Sequence, residues 1–282
     1  MDDHPRAASR EWDAATYHRV STPQFTWGQK VLARLPLQGN ETVLDAGCGT
    51  GRLTFELGAL LPAGRVVGLD ISQNMLREAR DRVPVPLAGR ALFVAADLQD
   101  LPFTERFDGI FSTAAFHWVL DHDRLFGSLF GALRPGGWLC AQCGGGANLT
   151  RLRGRAFALA ASQPYAHALQ GFTPTWEYAD AATTRQRLQH AGFTDIETNL
   201  EEARIQFQNG GEFREFVATV ILRQSLERIQ TAELREKFLA ELTRQAANDV
   251  PPYELDYWRL NMRARKPVAA VNQLRTPTAS KS

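Results

Sequence analysis

The stretch Val43-Leu44-Asp45-Ala46-Gly47-Cys48-Gly49-Thr50-Gly51 decides the fold. A short apolar run that starts at Thr42 ends in glycines at alternate positions. Residues 52–61 follow with helical spacing, Leu53, Leu57, Leu60 and Leu61 falling on one face. Glycines in such a loop permit backbone conformations closed to other residues and let a ligand approach the main chain. The helix behind them points its free N–H groups at whatever sits there.

Outward from this loop the same rhythm repeats. Pro62-Ala63-Gly64 breaks the helix, and residues 65–70 form a second apolar run. Ser72 is placed to cap a helix running to about Val83, with Met75, Leu76 and Ala79 inward. Further runs occupy 91–95, 107–112 and 138–143. A helix over about 123–133 lies before the last of these and stops at Arg134-Pro135-Gly136-Gly137. Strand and helix alternating over short connections predict a doubly wound α/β sheet. The runs lack polar alternation, as parallel strands covered on both faces do.

The flanks differ. The first 35 residues read as helical, with Trp12, Tyr17, Phe25 and Trp27 among polar neighbours. After the flexible Gly144-Gly145-Gly146, residues 147–180 read as irregular or helical. Residues 182–190 read as a helix ended by Gly192, 193–207 as a strand, 212–248 as long and helix-prone, and 253–265 as a last strand. The polar tail over 267–282 reads as disordered. The expected organisation is one domain over 1–266. Its core spans about 36–146, 181–207 and 253–266, with an N-terminal lid over 1–35 and helical cap insertions at about 147–180 and 208–252.

Asp70 ends the second run nineteen residues beyond Gly51, where a carboxylate can accept hydrogen bonds from both ribose hydroxyls. A nucleoside-containing cofactor is therefore expected across the ends of the first two strands. The dinucleotide fingerprint is G-x-G-x-x-G, whereas this loop is G-x-G-x-G with Arg52 in the place of the third glycine. Asp45 would repel a pyrophosphate and suit a cation. S-adenosylmethionine, with a sulfonium, an ammonium and no phosphate, fits better than a nicotinamide or flavin, or than a ligand-free turn.

The loop, together with Val66-Val67-Gly68-Leu69-Asp70, resembles class I S-adenosylmethionine-dependent methyltransferases. Ala95-Ala96-Asp97-Leu98 resembles the family's third-strand end, where the acid meets the adenine amino group. Phe107-Asp108-Gly109-Ile110-Phe111-Ser112 resembles the fourth strand, and Leu133-Arg134-Pro135-Gly136-Gly137 the turn into the fifth. The resemblance implies a mostly parallel, Rossmann-like sheet of seven strands with an antiparallel strand near the C-terminus. It implies a cofactor set of Asp45, Gly47, Gly49, Gly51, Asp70, Ile71, Met75, Asp97, Leu98, Ser112 and Tyr17. A narrower likeness is to the trans-aconitate methyltransferase group, through Trp12-Asp13-Ala14-Ala15-Thr16-Tyr17 and Phe116-His117-Trp118-Val119-Leu120-Asp121-His122. Those relatives often have Gln where this chain has His117, and they use a helical cap over the substrate.

Methyl transfer is an in-line displacement that needs near-attack geometry and exclusion of water. A carboxylate acceptor needs no base, whereas a phenol, amine or acidic carbon usually does. His117 reads as a substrate contact, a general base or a structural histidine. Trp118 reads as an indole donor to an anionic oxygen or as packing. Tyr17 reads as a lid over cofactor and substrate or as a core aromatic. Arg151, Arg153 and Arg155 follow the fifth run; Arg151 heads the expectation of a polyacid contact, with a solvated basic face as the alternative. The reaction favoured is carboxyl O-methylation of a small polycarboxylate. The rivals are methylation of a larger metabolite with His117 as base, and a non-catalytic cofactor-binding partner.

Composition excludes other classes. With 32 basic and 31 acidic residues the net charge is +1, so nothing draws the chain generally to nucleic acid or anionic membrane. No Pro-Cys dipeptide exists for a cytosine-type nucleophile, and Val250-Pro251-Pro252-Tyr253 lies far from the fourth strand that carries the amino-methylating motif. No apolar run approaches the ~18 residues of a membrane span. The opening Met1-Asp2-Asp3-His4-Pro5 is no signal peptide. Three cysteines give no disulfide framework, and Cys140-Ala141-Gln142-Cys143 is a single CxxC, so no metal is expected. The expected setting is a reducing cytoplasm, the expected partner a small-molecule substrate, and monomer and dimer both stay open.

Overall fold

Val43 and Leu44 are both fully buried, yet they enter different cores. Leu44 packs with Ile110, Leu125, Phe126 and Leu129, and Val43 with Val31, Leu57, Val66 and Phe111. Neighbouring residues of a strand face opposite ways, so a strand with no polar face needs a layer on each side. The structure, a computed structural model, describes residue 11, residues 14–171 and residues 176–268, and only the backbone of Ala15, Tyr17 and Val20. Trp12 and residues 269–282 of the expected tail lie outside the described residues.

Helices α1 (Ala14–Val20) and α2 (Thr22–Leu32) precede β1 (Thr42–Ala46). Then α3 (Arg52–Ala59), β2 (Arg65–Asp70), α4 (Gln73–Asp81), β3 (Ala91–Ala95), β4 (Phe107–Thr113), α5 (His122–Ala132) and β5 (Leu133–Gly144) alternate. Next come α6 (Thr150–Ala160), α7 (Ala166–Leu169), α8 (Ala181–His190), β6 (Thr194–Glu202), β7 (Ile205–Gln206), α9 (Gly210–Phe216), α10 (Arg223–Arg228), α11 (Ala232–Ala247), β8 (Glu254–Leu255) and β9 (Trp258–Arg265). The seven-stranded sheet has the order β3-β2-β1-β4-β5-β9-β6, and β9 runs antiparallel to both neighbours. The chain winds outward from β1 through β2 to β3, then returns to the other side of β1 as β4. Crevices form at the carboxyl ends of strands at such a reversal, and the glycine loop lies there. No described helix is long and apolar enough to cross a membrane.

Residues 147–171, 176–180 and 208–252 build a third core on the same side as α2. Leu149, Leu152 and Leu169 pack with Phe213, Phe216, Phe238 and Leu242, and with Trp27 and Tyr257.

The structure corrects several boundaries. The helix expected over 212–248 is interrupted: α9 runs into a π-turn at Val217–Ile221, then α10, then α11. Asn209 and Thr231 cap fresh starts by accepting from the N–H groups of Glu212 and Leu234 at 3.0 and 3.2 Å. Apolar spacing continues through these breaks, so periodicity alone does not see them. The strands expected over 193–207 and 253–265 are each divided. Ile205–Gln206 pairs with Glu254–Leu255 in a separate ribbon, because Asp256 bends the chain to take the N–H of Arg151 at 3.0 Å. Residues 134–137 extend β5 rather than standing apart as a turn, with Gly136 at φ +81° bending it.

Candidate active site

The glycine loop owes its shape to three left-handed residues, Gly47, Gly49 and Gly51, at φ +83°, +53° and +80°. The N–H groups of Gly47 and Cys48 both donate to the Leu69 carbonyl, at 2.7 and 2.9 Å, which locks the loop to the end of β2. A Cβ on Gly47 would fall 2.2 Å from that of Ala115, whereas one on Gly49 would meet nothing within 4 Å. Gly49 therefore faces open space that backbone alone approaches.

Asp70, at the end of β2, accepts from the N–H of Gly49 and that of Ser72, each at 2.9 Å. Burial raises its pKa, and these backbone donors oppose the rise. Ser72 caps α4 as expected, accepting from the Met75 N–H at 3.3 Å. Glu11 reinforces that end, accepting from Ser72 Oγ at 3.0 Å and the Asn74 N–H at 3.1 Å.

Beyond Asp70 opens a cavity of about 330 Å3. Gly47, Gly49, Asp70, Ile71, Met75, Asp97 and Leu98 line it, and these belong to the expected cofactor set. Ala114, Ala115, Trp118 and Val119 close the other side.

Three expected contacts lie elsewhere. Ser112 is fully buried and donates to the Ala46 carbonyl at 2.6 Å, tying β4 to β1. Gly51 turns into α3, and a Cβ there would press on Phe55 and Ala79. Asp45 is 2% exposed and accepts from Thr54 Oγ1 at 2.5 Å. It lines a smaller cavity, of about 70 Å3, on the far side of the loop with Gln24, Gly47 and Thr50. Burial, and then the charge of Asp70, push the Asp45 carboxyl up to about 7, with the Thr54 hydrogen bond opposing them.

The Tyr17 side chain lies outside the described residues. Its helix α1 reaches the glycine loop through His18 Nδ1 and Thr50 Oγ1, 2.9 Å apart.

A third cavity, of about 30 Å3, adjoins these two. His117 and Trp118 line it, joined by Gln24, Asn148, Tyr178 and Arg259, which sequence reasoning missed. No carboxylate stands among its described lining residues. His117 is 8% exposed; its Nδ1 accepts from the Gly144 N–H at 3.4 Å, which puts the proton of a neutral ring on Nε2. The His117 ring lies 4.9 Å from that of Trp118 and 5.7 Å from that of Tyr178. Burial pushes the Tyr178 phenol up to about 12 despite its bond to Asn148, so it stays protonated. Arg259 is 2% exposed, with Nε 3.4 Å from Gln142 Oε1 and the guanidinium 4.6 Å above the Trp27 ring.

Ala114 lines all three cavities. It holds φ +56°, a strained value for a residue with a Cβ. Its only sequence signal is its place just after the fourth strand.

Arg151 does not join the site. Its guanidinium lies 3.5 Å from Asp249 and 3.3 Å from Glu254, and Arg155 grips Asp249 at 2.6 and 2.9 Å. Both fasten α6 to the segment before β8. Only Arg153 of the three turns toward the cavity, 5.1 Å over the Tyr178 ring. The CxxC is no pair, since Cys140 and Cys143 point to opposite faces of β5 and enter different cores. Among the described residues no group of three or more His, Cys, Asp or Glu could hold a metal.

The fold is that of the class I methyltransferases, a seven-stranded, mostly parallel sheet with flanking helices. Residues 43–137 match the family described as a methyltransferase domain. The chain is similar to trans-aconitate 2-methyltransferases. It is 39% identical to that of Variovorax paradoxus over 133 residues (47% of this chain and 49% of that protein). With that of Methylobacterium radiotolerans it is 36% identical over 160 residues (56% and 59%). The chain thus spans about half the length of the curated relatives it matches. Among solved structures, phosphoethanolamine N-methyltransferase 2 of Haemonchus contortus in complex with S-adenosyl-L-methionine aligns with TM-score 0.59 at 20% identity, over 90% of this chain and 56% of that one. A [4+2]-cyclase aligns with TM-score 0.53 at 21% identity, over 86% and 81%. At such identities the likeness is one of fold, and the cyclase shows that this fold serves more than one reaction.

Proposed function

We propose that this chain transfers a methyl group from S-adenosylmethionine to a carboxylate oxygen of a small polycarboxylic acid. The observation that carries the reading is the donor-lined cavity, with no acid among its described lining residues, meeting the larger cleft at Ala114.

The residues present fit the cofactor. Asp70 offers a carboxylate for the ribose hydroxyls, Ile71, Met75 and Leu98 an apolar wall for the base, Asp97 an acceptor for its amino group, and Gly49 open space beside bare backbone. Asp45 and Gln24 line the neighbouring cavity, where a carboxylate suits an ammonium. When bound, the cofactor supplies an electrophilic methyl on a sulfonium.

The chain's own residues then bind, orient and exclude water. An acceptor carboxylate is ionised at neutral pH. One of its oxygens gains the methyl, the electron pair of the broken bond stays with sulfur, and no proton has to leave. A general base is unnecessary. His117 supports this reading, since its neutral ring keeps a donor at Nε2 once Nδ1 has accepted from Gly144. A donor suits an anionic oxygen.

The test is transfer of labelled methyl from S-adenosylmethionine to a panel of di- and tricarboxylates, trans-aconitate among them, beside phenols and amines. The expected product is an ester that releases labelled methanol in base. Label entering only phenols or amines, or no acceptor at all, would overturn the reading.

A further inference from the structure

We propose that Arg259 selects the acceptor by charge, its guanidinium binding a carboxylate other than the one that receives the methyl. This rests on the acceptor being an acid, as argued above.

Position is the first argument. Arg259 pairs in register with Gly144, the last residue of β5, so the antiparallel β9 delivers it to the carboxyl edge where the cavities meet. Gly144 keeps the wall tight. A Cβ there would lie 2.8 Å from both Asn148 Nδ2 and the Tyr178 ring.

Its orientation is set by neighbours. Gln142 Nε2 donates to Asn261 Oδ1 at 2.7 Å, and Asn261 Nδ2 donates to Glu201 at 3.1 Å. This relay turns Gln142 Oε1 toward Arg259 Nε, while Trp27 supports the flat face of the guanidinium. A fork held in a fixed plane suits the two oxygens of one carboxylate.

Burial and charge give the third argument. The guanidinium is 2% exposed, and the cavity beside it adds donors from His117, Asn148 and Tyr178, with no carboxylate among the described lining residues. Such a lining attracts an anion.

Size then sets the class of acceptor. About 30 Å3 admits one group the size of a carboxylate, not a whole acid. The cavity shares Ala114 and Trp118 with the larger cleft. An acid anchored on Arg259 therefore reaches past Ala114 with a second group. Acids with at least two carboxylates fit, and monoacids lack the anchor.

The test uses the full chain loaded with S-adenosylhomocysteine, titrated calorimetrically with a tricarboxylate, a dicarboxylate and the dicarboxylate's diamide, beside methyl-transfer kinetics. Arg259→Gln is expected to weaken di- and tricarboxylate binding about thirtyfold or more, as loss of one partner of a buried charge pair does. Arg259→Lys, which keeps the charge and loses the fork, should fall between. KM should rise far more than kcat drops, and S-adenosylhomocysteine affinity should stay within about twofold of wild type. The diamide, which has no carboxylate for Arg259, should bind the wild type and Arg259→Gln alike.

Should Arg259→Gln fail to fold, Gln142→Leu keeps the arginine and loosens its aim, and an intermediate rise in KM is expected. Unchanged acid binding in a folded Arg259→Gln protein, or wild-type affinity for the diamide equal to that for the diacid, overturns the inference. Acids methylated equally well by both proteins sink this inference alone. Tight acid binding through Arg259 with methyl going only to another acceptor class sinks the carboxyl reading instead.

Discussion

The proposed cofactor cleft and the proposed acceptor cavity are neighbours built in opposite ways. The cleft comes from one stretch, Gly47 to Asp121, and much of it is backbone held by glycine conformations and strand ends. The cavity takes Gln24 from α2, His117 and Trp118 from after β4, Asn148 from after β5, Tyr178 from before α8 and Arg259 from β9. One is a property of a local motif and the other of packing between distant segments. A methyl donor common to many reactions can be held by the first, and acceptor choice falls to the second.

The largest expected effect tests the local half. Asp70→Ala removes the ribose carboxylate and should weaken cofactor binding by ~1.5–3 kcal/mol, the scale of hydrogen bonds to a charged group. Calorimetry with S-adenosylhomocysteine checks it, and acceptor preference among acids should not change. Unaltered cofactor affinity would remove the assignment of the cleft.

Asp45 sharpens the boundary between the halves. Its folded pKa of about 7 lies above the ordinary aspartate value of 3.8, so the ligand-free fold holds a proton there that the unfolded chain releases. That contribution to stability is present in acid and is lost as pH rises from about 4 through 7. A bound ammonium favours the ionised form. Cofactor affinity should therefore strengthen between pH 6 and 8, while kcat at saturating cofactor stays flat because a carboxylate acceptor needs no base. Asp45→Asn should abolish the pH dependence of affinity and leave the ligand-free protein at pH 8 at least as stable as wild type. Fluorescence titration and thermal melts read the two arms. A rising limb in kcat near pH 6.5 would instead assign His117 as a base.

His117→Ala should raise the acceptor KM by about tenfold, the loss of one hydrogen bond to a charged group, with a smaller change in kcat. A fall of several orders in kcat at unchanged KM would contradict the donor role.

The smallest functional effect is expected at Arg151. Arg151→Ala loosens the junction of α6 with Asp249 and Glu254, both of which keep another arginine, Arg155 and Arg204. A loss on the order of 1–2 kcal/mol, or a few degrees in Tm, should come with unchanged acceptor KM. An altered acceptor KM would put Arg151 back among the substrate contacts.

What could be read in advance follows the same division. Runs without polar alternation, punctuated by Pro62-Ala63-Gly64 and the 47–51 glycines, announce a parallel sheet because covered strands have no polar face. Ser72 announces its helix because a cap is a local bond. Ser112 and Gly51 belong to the motif, yet they pack into the protein rather than line the larger cleft, and spacing does not say which way a side chain points. The breaks at residues 217–231 are hidden because the apolar stripe runs on through them.

By itself, the sequence determined the order of strands and helices from β1 to β5, the glycine loop and the acid nineteen residues beyond it, because these depend on backbone freedom and short-range periodicity. Tertiary structure alone decided between two chemically identical arginines. Arg151 meets Asp249 and Glu254 and becomes a fastener, and Arg259 meets a cavity lined with donors. A guanidinium has the same charge in both places. Only the packing of segments far apart in the chain settles what stands opposite it.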